Sequence, residues 1–374
     1  MIYLDNAATT PPDPAVLETF NKVYATFWAN PHSLHRPGEQ AEQLLEQARA
    51  QVTELLGGSG YRTLFTSGAT ESNNLAIKGV VEQYRARGNH LITTNSEHPS
   101  VEKVMQWLEG AGCVVTRLPV GPDGAVTPGQ VEAALTHQTI LVSTMWVNNE
   151  TGAVNPISAI AGCLSAHQAL YHVDGAQGIG KLPFSLAETP VDFLSFSAHK
   201  FFGLKGSGAL ILRERQQLPP QLLGGGQEFG LRSGTADVPR AAACAKALRL
   251  SFDGLAPKLA NAGVLNDLLR KGLAGLPQIV INSPQTASPY ILNGSVSGIK
   301  SETILHGLVG EAIYISTASA CASKGTEPSP VILALTGDKE RARNTIRISL
   351  SHLTTREDIE QFLDALARIM NKLG

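Results

Sequence analysis

The sequence predicts an α/β protein: a large domain on a mostly parallel sheet with helices on both faces, then a smaller α+β domain. Three observations carry this. Strand-like and helix-like segments alternate through the middle of the chain, as a parallel sheet requires, because each parallel pair needs a crossover. Polar residues with chemical potential follow the strand-like segments, where open α/β sheets gather ligands. The last third loses the regular alternation. At 374 residues the chain is long enough for two domains. Residues 15–250 are expected to form the large one, and 1–14 with 251–374 an N-terminal arm plus the small one.

Taken in order, residues 1–14 read as an arm, with Pro11, Pro12 and Pro14 opposing regular structure. Residues 40–56 read as an amphipathic helix. Ala41, Leu44, Leu45, Ala48, Val52 and Leu55 share a face, Pro37 and Gly38 precede it, and Gly57-Gly58 stop it. A strand follows at 62–66 and a helix from 71 onward. Strands at 90–94, 114–118 and 140–146 alternate with helices at 101–111, 128–135 and 157–168. Strands at 170–173, 191–196 and 209–212 complete the large domain. Beyond it, helices are expected from about 241 into the 250s and at 257–273, 301–309, 328–335 and 356–370. Strands are expected there at 278–282, 291–296 and 346–349.

The 43% hydrophobic and 17% charged residues match a soluble globular protein. Thirty Lys and Arg against 32 Asp and Glu leave a net charge of −2, which argues against direct nucleic-acid binding or an anionic membrane surface. From Met1 to Asp5 no secretory leader is expected, and no apolar run approaches the ~20 residues that span a bilayer. Cys113, Cys163, Cys244 and Cys321 form no CxxC or other short metal-ligand spacing, so no metal site is expected. Reduced thiols and a cytoplasmic location follow as the expectation.

The chemistry centres on Ser197-Ala198-His199-Lys200, between the apolar run 191–196 and the glycine-rich 203–208. Alone, such a lysine reads more readily as a solvated loop residue. In a partly desolvated pocket it becomes an amine able to form a Schiff base or move a proton. Thr66 to Asn74 joins a strand to a helix through small residues and reads equally as an ordinary helix N-cap or as a site where backbone N–H groups and the Thr70 hydroxyl meet an anion. It is not a GxxxxGK[ST] loop, and no GxGxxG follows the first strand. His98 follows another strand and suits stacking on a flat ligand or proton exchange. Asp174, ending a third, suits a protonated ring nitrogen or a local cap. Together these are the tasks a protein performs for pyridoxal phosphate (PLP).

The motifs then become specific. Leu4-Asp5-Asn6-Ala7-Ala8-Thr9-Thr10-Pro11, Asn30-Pro31-His32-Ser33-Leu34-His35, Thr66-Ser67-Gly68-Ala69-Thr70-Glu71-Ser72-Asn73 and Ser96-Glu97-His98 occur in order. Asn148-Asn149-Glu150-Thr151-Gly152, His172-Val173-Asp174-Gly175-Ala176-Gln177 and Ser197-Ala198-His199-Lys200 follow. Arg232-Ser233-Gly234-Thr235, Ser319-Ala320-Cys321 and Ile346-Arg347-Ile348-Ser349-Leu350 complete the series. In this, and nearly end to end, the chain resembles cysteine desulfurases of the class V aminotransferase group. That implies PLP fold-type I, with a mostly parallel seven-stranded sheet.

The resemblance also implies roles. Lys200 carries PLP and shuttles the Cα proton. Asp174 pairs with the ring nitrogen, Gln177 meets the ring hydroxyl oxygen, and His98 stacks on the ring and assists proton transfer. Ala69, Thr70, Ser197 and His199 hold the phosphate, and Thr235 reaches the phosphate of a partner subunit in a homodimer. Arg347 forks onto the substrate carboxylate, and Asn149 lies near cofactor and substrate. Ala198 stands where the family often has glycine, and His32 where a small residue is common.

Cys321 sits in a small, polar segment without bulky apolar anchors and is expected to be mobile and functional. Cys113, Cys163 and Cys244 lie beside or within apolar-periodic elements and read as structural. The resemblance implies that Cys321 takes sulfur from L-cysteine as a persulfide, releasing L-alanine. Its long Ser/Thr/Ala-rich segment resembles the housekeeping and nitrogen-fixation branch. The sulfur would pass to an acceptor or scaffold protein serving Fe–S cluster assembly, tRNA thiolation or cofactor sulfuration. A selenocysteine lyase and a direct cysteine C–S lyase are alternatives within PLP chemistry. A non-catalytic scaffold for sulfur-carrier proteins is the alternative from another class.

Overall fold

The strands lie where apolar runs meet turn residues, and the helices between them cover both faces of the resulting sheet. A computed structural model describes residues 1–317 and 327–373. The strands are β1 (Ile2–Tyr3), β2 (Tyr61–Thr66), β3 (His90–Thr94), β4 (Val114–Leu118), β5 (Thr139–Met145), β6 (Leu170–Asp174), β7 (Phe193–Ser197), β8 (Gly208–Arg213), β9 (Ile279–Ile281), β10 (Ile291–Val296), β11 (Ile313–Tyr314), β12 (Ser316–Thr317) and β13 (Thr345–Ser349). The helices are α1 (Pro14–Thr26), α2 (Arg36–Leu55), α3 (Ala69–Tyr84), α4 (Pro99–Gly110), α5 (Pro128–Ala134), α6 (Ile157–Leu164), α7 (Val238–Phe252), α8 (Leu255–Ala274), α9 (Ser301–Gly310), α10 (Pro330–Thr336), α11 (Lys339–Arg343) and α12 (Arg356–Leu373).

The large sheet has seven strands in the order β2-β8-β7-β6-β5-β3-β4. Its pairs are parallel except those made by β8, which runs antiparallel to both β2 and β7. The mostly parallel α/β architecture expected from the sequence is thus present. Strands β3, β5, β6 and β7 are buried at every position, as strands covered on both faces must be. A second sheet, β12-β13-β10-β9, is antiparallel throughout.

Several elements depart from the expected bounds. Helix α2 starts at Arg36, because Pro37 falls in its first turn, where no N–H is needed, and the His35 ring accepts from Gly38 N. Helix α6 stops at Leu164, four residues short of expectation. There His167 accepts from Ala169 N, and Gln168 reaches the His137 carbonyl. Two helices had escaped the sequence reading. Helix α1 follows the prolines: Asp13 caps it through Ala15 N at 2.7 Å, with Pro14 as its first residue. Helix α11 is a five-residue turn capped by Asp338.

The N-terminal arm is structured. Its β1 pairs in parallel with β11, and Leu4 N donates to the Tyr314 carbonyl. Ser349 N donates to the Leu4 carbonyl, and Thr10 N to that of His199. The arm therefore touches both sheets, and it crosses the edge where the parallel strands end. Among the described residues no helix is long and apolar enough to cross a membrane.

Candidate active site

The carboxyl ends of β2, β3, β5, β6 and β7 open on one cavity of about 240 Å³. At the end of β2 the chain turns through Gly68, whose φ of +147° lies where glycine is favoured. Gly68 is the N-cap of α3 and supplies no side chain to satisfy the helix's first N–H groups. Ala69 N donates to Ser197 Oγ at 2.7 Å, which ties this helix start to the end of β7. Close approach is needed on the far side too. A Cβ at Gly208 would meet the Phe196 carbonyl and lie 2.6 Å from Gly68 Cα.

Strand β7 ends at Ser197, and a single tight turn delivers Ala198, His199 and Lys200. Phe202, just beyond, holds a left-handed φ of 64°, a local cost on the order of 1 kcal/mol for a bulky residue. Its N–H is held by Thr10 Oγ1 of the arm at 2.8 Å. Lys200 Nζ donates to the Ala7 and Ala8 carbonyls of the arm at 2.7 and 2.9 Å. His199 is pushed down to about 4, first by burial and then by Lys200, Lys205 and Lys181. It therefore stands neutral at pH 7, with Nδ1 3.1 Å from Thr9 Oγ1.

Asp174, at the end of β6, is buried. Ala176 N donates to its Oδ1 at 3.0 Å, and Asn73 Nδ2 of α3 donates to its Oδ2 at 2.8 Å. The same Asn73 Nδ2 lies 2.9 Å from Ser100 Oγ, which lies 2.8 Å from His98 Nδ1. Burial pushes His98 below the usual histidine range. Asp174 opposes that shift and Lys200 adds to it. Gln177 donates to the Ala7 carbonyl and accepts from the buried Lys181 Nζ, both at 2.8 Å.

Arg347, in β13, is 1% exposed. Its Nη2 reaches Asp5 Oδ1 at 2.9 Å and its Nη1 the Asn149 carbonyl at 2.9 Å, while Nε has no partner among the described residues. That leaves a buried N–H for a ligand.

Ten of the residues singled out from sequence line this one cavity: Ala69, Thr70, His98, Asn149, Asp174, Gln177, Ser197, His199, Lys200 and Arg347. Thr235 does not line it and is exposed. Cys321 lies outside the described residues. Sequence reasoning passed over Ala7, Ala8, Ser100, Met145, Val147 and Ala176 in the lining, and the Asn73 link behind it. Ala7 and Ala8 act through backbone carbonyls, which leave no mark on a sequence. Asn73 left only a faint one, an amide three and four residues before Ala76 and Ile77 and so on their helix face, and the structure buries it fully.

PLP suits this donor set. A helix start with uncapped N–H groups, Thr70, Ser197 and a neutral His199 suit its phosphate. A carboxylate held by two donors suits its ring nitrogen, and Lys200 its aldehyde.

Comparison with known proteins points the same way. The chain matches the family described as aminotransferase class-V over residues 2–362. It is 43% identical to a NifS/IcsS protein homolog of Lactobacillus delbrueckii subsp. bulgaricus, over 99% of this chain and 97% of that one. It is 41% identical to the cysteine desulfurase IscS of Serratia proteamaculans, over all of this chain and 93% of that one. A solved NifS-like protein superposes with a TM-score of 0.93 at 37% identity, each chain covered in full.

Proposed function

The chain belongs to the class-V aminotransferase family, and we propose that it is a PLP-dependent cysteine desulfurase. It takes sulfur from L-cysteine, releases L-alanine and keeps the sulfur as a persulfide on Cys321. The observation that carries this reading is the convergence of Lys200, Asp174, His98, the α3 N-terminus and Arg347 on one cavity.

When bound, PLP supplies an electron-accepting ring that labilises bonds around the amino acid's α-carbon. The chain's own groups supply the rest. Ala69, Thr70, Ser197 and His199 hold the phosphate, Asp174 keeps a proton on the ring nitrogen, and Lys200 is the covalent attachment point. Arg347 takes the substrate carboxylate, a fork-to-fork match that a lysine would not make. Asp5 and the Asn149 carbonyl aim that guanidinium from behind. Lys200 Nζ moves the Cα proton. The Cys321 thiolate attacks the substrate sulfur: a bond forms between the two sulfurs, the Cβ–S bond breaks, and protonation of the carbon fragment completes L-alanine. Atoms and electrons balance without an external oxidant or reductant.

A homodimer in which Thr235 meets the partner's phosphate fits its exposure and its distance from its own chain's cavity. The free thiols of Cys113, Cys163 and Cys244 accord with a cytoplasmic location. The acceptor is a sulfur-receiving or scaffold protein.

The test is twofold. Borohydride reduction of the PLP-loaded protein should fix the cofactor on Lys200, read by peptide mass. Labelled L-cysteine should give alanine and a labelled Cys321 persulfide, and Cys321→Ser should abolish both products while keeping bound PLP. No cofactor fixed at Lys200 would sink the enzyme reading. Full alanine turnover by Cys321→Ser would sink the persulfide route and favour direct C–S lysis.

A further inference from the structure

The hydrogen bonds around His98 join it to α3 and α4, and one of them has a direction that bears on which ring nitrogen carries the proton. Asp174 Oδ2, in a carboxylate, only accepts, so the Asn73 atom facing it at 2.8 Å is the amide nitrogen. Turning the amide over would set oxygen against oxygen. The second hydrogen of Asn73 Nδ2 points to Ser100 Oγ at 2.9 Å and occupies a lone pair there. Ser100 Oγ keeps both its hydroxyl hydrogen and a second lone pair, so its 2.8 Å contact with His98 Nδ1 accommodates either direction.

A donor of fixed direction reaches the same nitrogen. Ser100 N lies 3.1 Å from His98 Nδ1, and a backbone N–H cannot accept. The contact is the N-cap of α4, with Pro99 as first helical residue, so Ser100 offers the first N–H that the helix must satisfy. A proton on Nδ1 would oppose that N–H and uncap α4. Asn73 is fully buried, so water does not substitute for it.

We propose that the Ser100 N–H at the start of α4 fixes the His98 ring as its neutral Nε2–H tautomer, with Asn73 and the Ser100 hydroxyl as positioning groups beside it, so that His98 meets cofactor and substrate as a hydrogen-bond donor and leaves proton removal to Lys200. The functional half of this statement rests on the PLP reading above. The tautomer itself does not.

The test uses holoenzyme with 15N-labelled histidine rings, the His98 signals being assigned by their loss in His98→Gln. At neutral pH, His98 should show a protonated Nε2 and a bare Nδ1. Ser100→Pro, which removes the Ser100 N–H in a first turn where proline is tolerated, should bring up the Nδ1–H form with PLP still fixed at Lys200 by borohydride, whereas Asn73→Leu combined with Ser100→Ala, which keeps it, should not. Turnover then separates donor from base. His98→Gln, which keeps an N–H to offer, should exceed His98→Leu by about tenfold in kcat. A resting wild-type ring protonated on Nδ1, alone or with Nε2, overturns the proposal. Equal kcat losses in the Gln and Leu variants overturn the donor role. Absence of cofactor at Lys200 overturns the PLP reading alone, because the tautomer is also measured in the apoprotein.

Discussion

Two buried side chains show how single residues set the chemistry. Arg347 holds Asp5 Oδ1 at 2.9 Å, and the pair is separated by 342 residues in sequence. Burial raises Asp5, and Arg347 then Lys200 counter it. Asp5→Asn keeps the shape but removes the charge that aims the guanidinium. It should raise KM for L-cysteine roughly tenfold while changing kcat less, as steady-state alanine assays would show. An unchanged KM would mean Asp5 does not aim Arg347. Glu97 makes a pH-dependent contribution. Thr94 Oγ1 and Met145 N donate to its Oε1 at 2.7 and 3.0 Å, while Oε2 is buried with no partner among the described residues. Burial pushes this carboxyl up to about 8. Below about 4.3 both folded and unfolded states are protonated and no penalty exists. Between there and about 8 only the unfolded chain ionises, so stability falls as pH rises, with the full penalty above that. Glu97→Gln is neutral throughout. Relative to wild type it should gain on the order of a few kcal/mol between pH 5 and pH 9, measured by urea unfolding. A constant difference between the two proteins would show that Glu97 does not titrate in this range.

Strands and helices place these residues through close backbone approach. Gly208 sits opposite both Thr66 and Ser197 in the sheet register, and a methyl group there would press on Gly68 and the Phe196 carbonyl. Gly208→Ala should therefore separate the α3 start from Ser197 and weaken PLP binding about tenfold or more, with α-helical circular dichroism retained. Reconstitution titrations of apoprotein check this, and wild-type affinity would refute it. Gly178 is packed as tightly: a Cβ there would lie 2.6 Å from indole atoms of Trp146, directly after β5. Gly178→Ala should cost on the order of 2 kcal/mol and shift the tryptophan fluorescence, because a dense core cannot absorb the overlap.

At the scale of the whole molecule, the arm is the tie between the parts. It pairs with β11 and β13, supplies the carbonyls that Lys200 Nζ faces, and holds the turn after Lys200 through Thr10. Asn6 is its buried anchor, donating to the Ser349 and Tyr3 carbonyls at 2.9 and 3.2 Å. Asn6→Ala should lower stability by about 1–3 kcal/mol. Removing residues 1–10 should lower both the melting temperature and PLP retention on dialysis. A truncated protein that keeps its cofactor would refute the tie.

Much of this was legible in the amino-acid order. Apolar runs between turn residues located nearly every strand of the large sheet, because burial on both faces demands such runs. Lys200, Asp174 and His98 stood out because in a parallel sheet the strand end is itself a position in space, so residues far apart in sequence share one edge. The prolines of the arm concealed α1, because proline opposes a helix interior but favours its first turn. Backbone carbonyls carry no residue code, so the part played by Ala7 and Ala8 had no sequence signal. Asn73 was present in a segment already singled out and Ser100 lay two residues past another, yet an amide and a hydroxyl gain meaning only from what faces them. The sequence by itself thus determined the architecture and the kinds of group at the site, since periodicity and strand ends are local properties. Tertiary structure alone decided that Asp5 faces Arg347 and that Asn73 joins Asp174 to Ser100, because a hydrogen bond depends on both partners and packing chooses the partner.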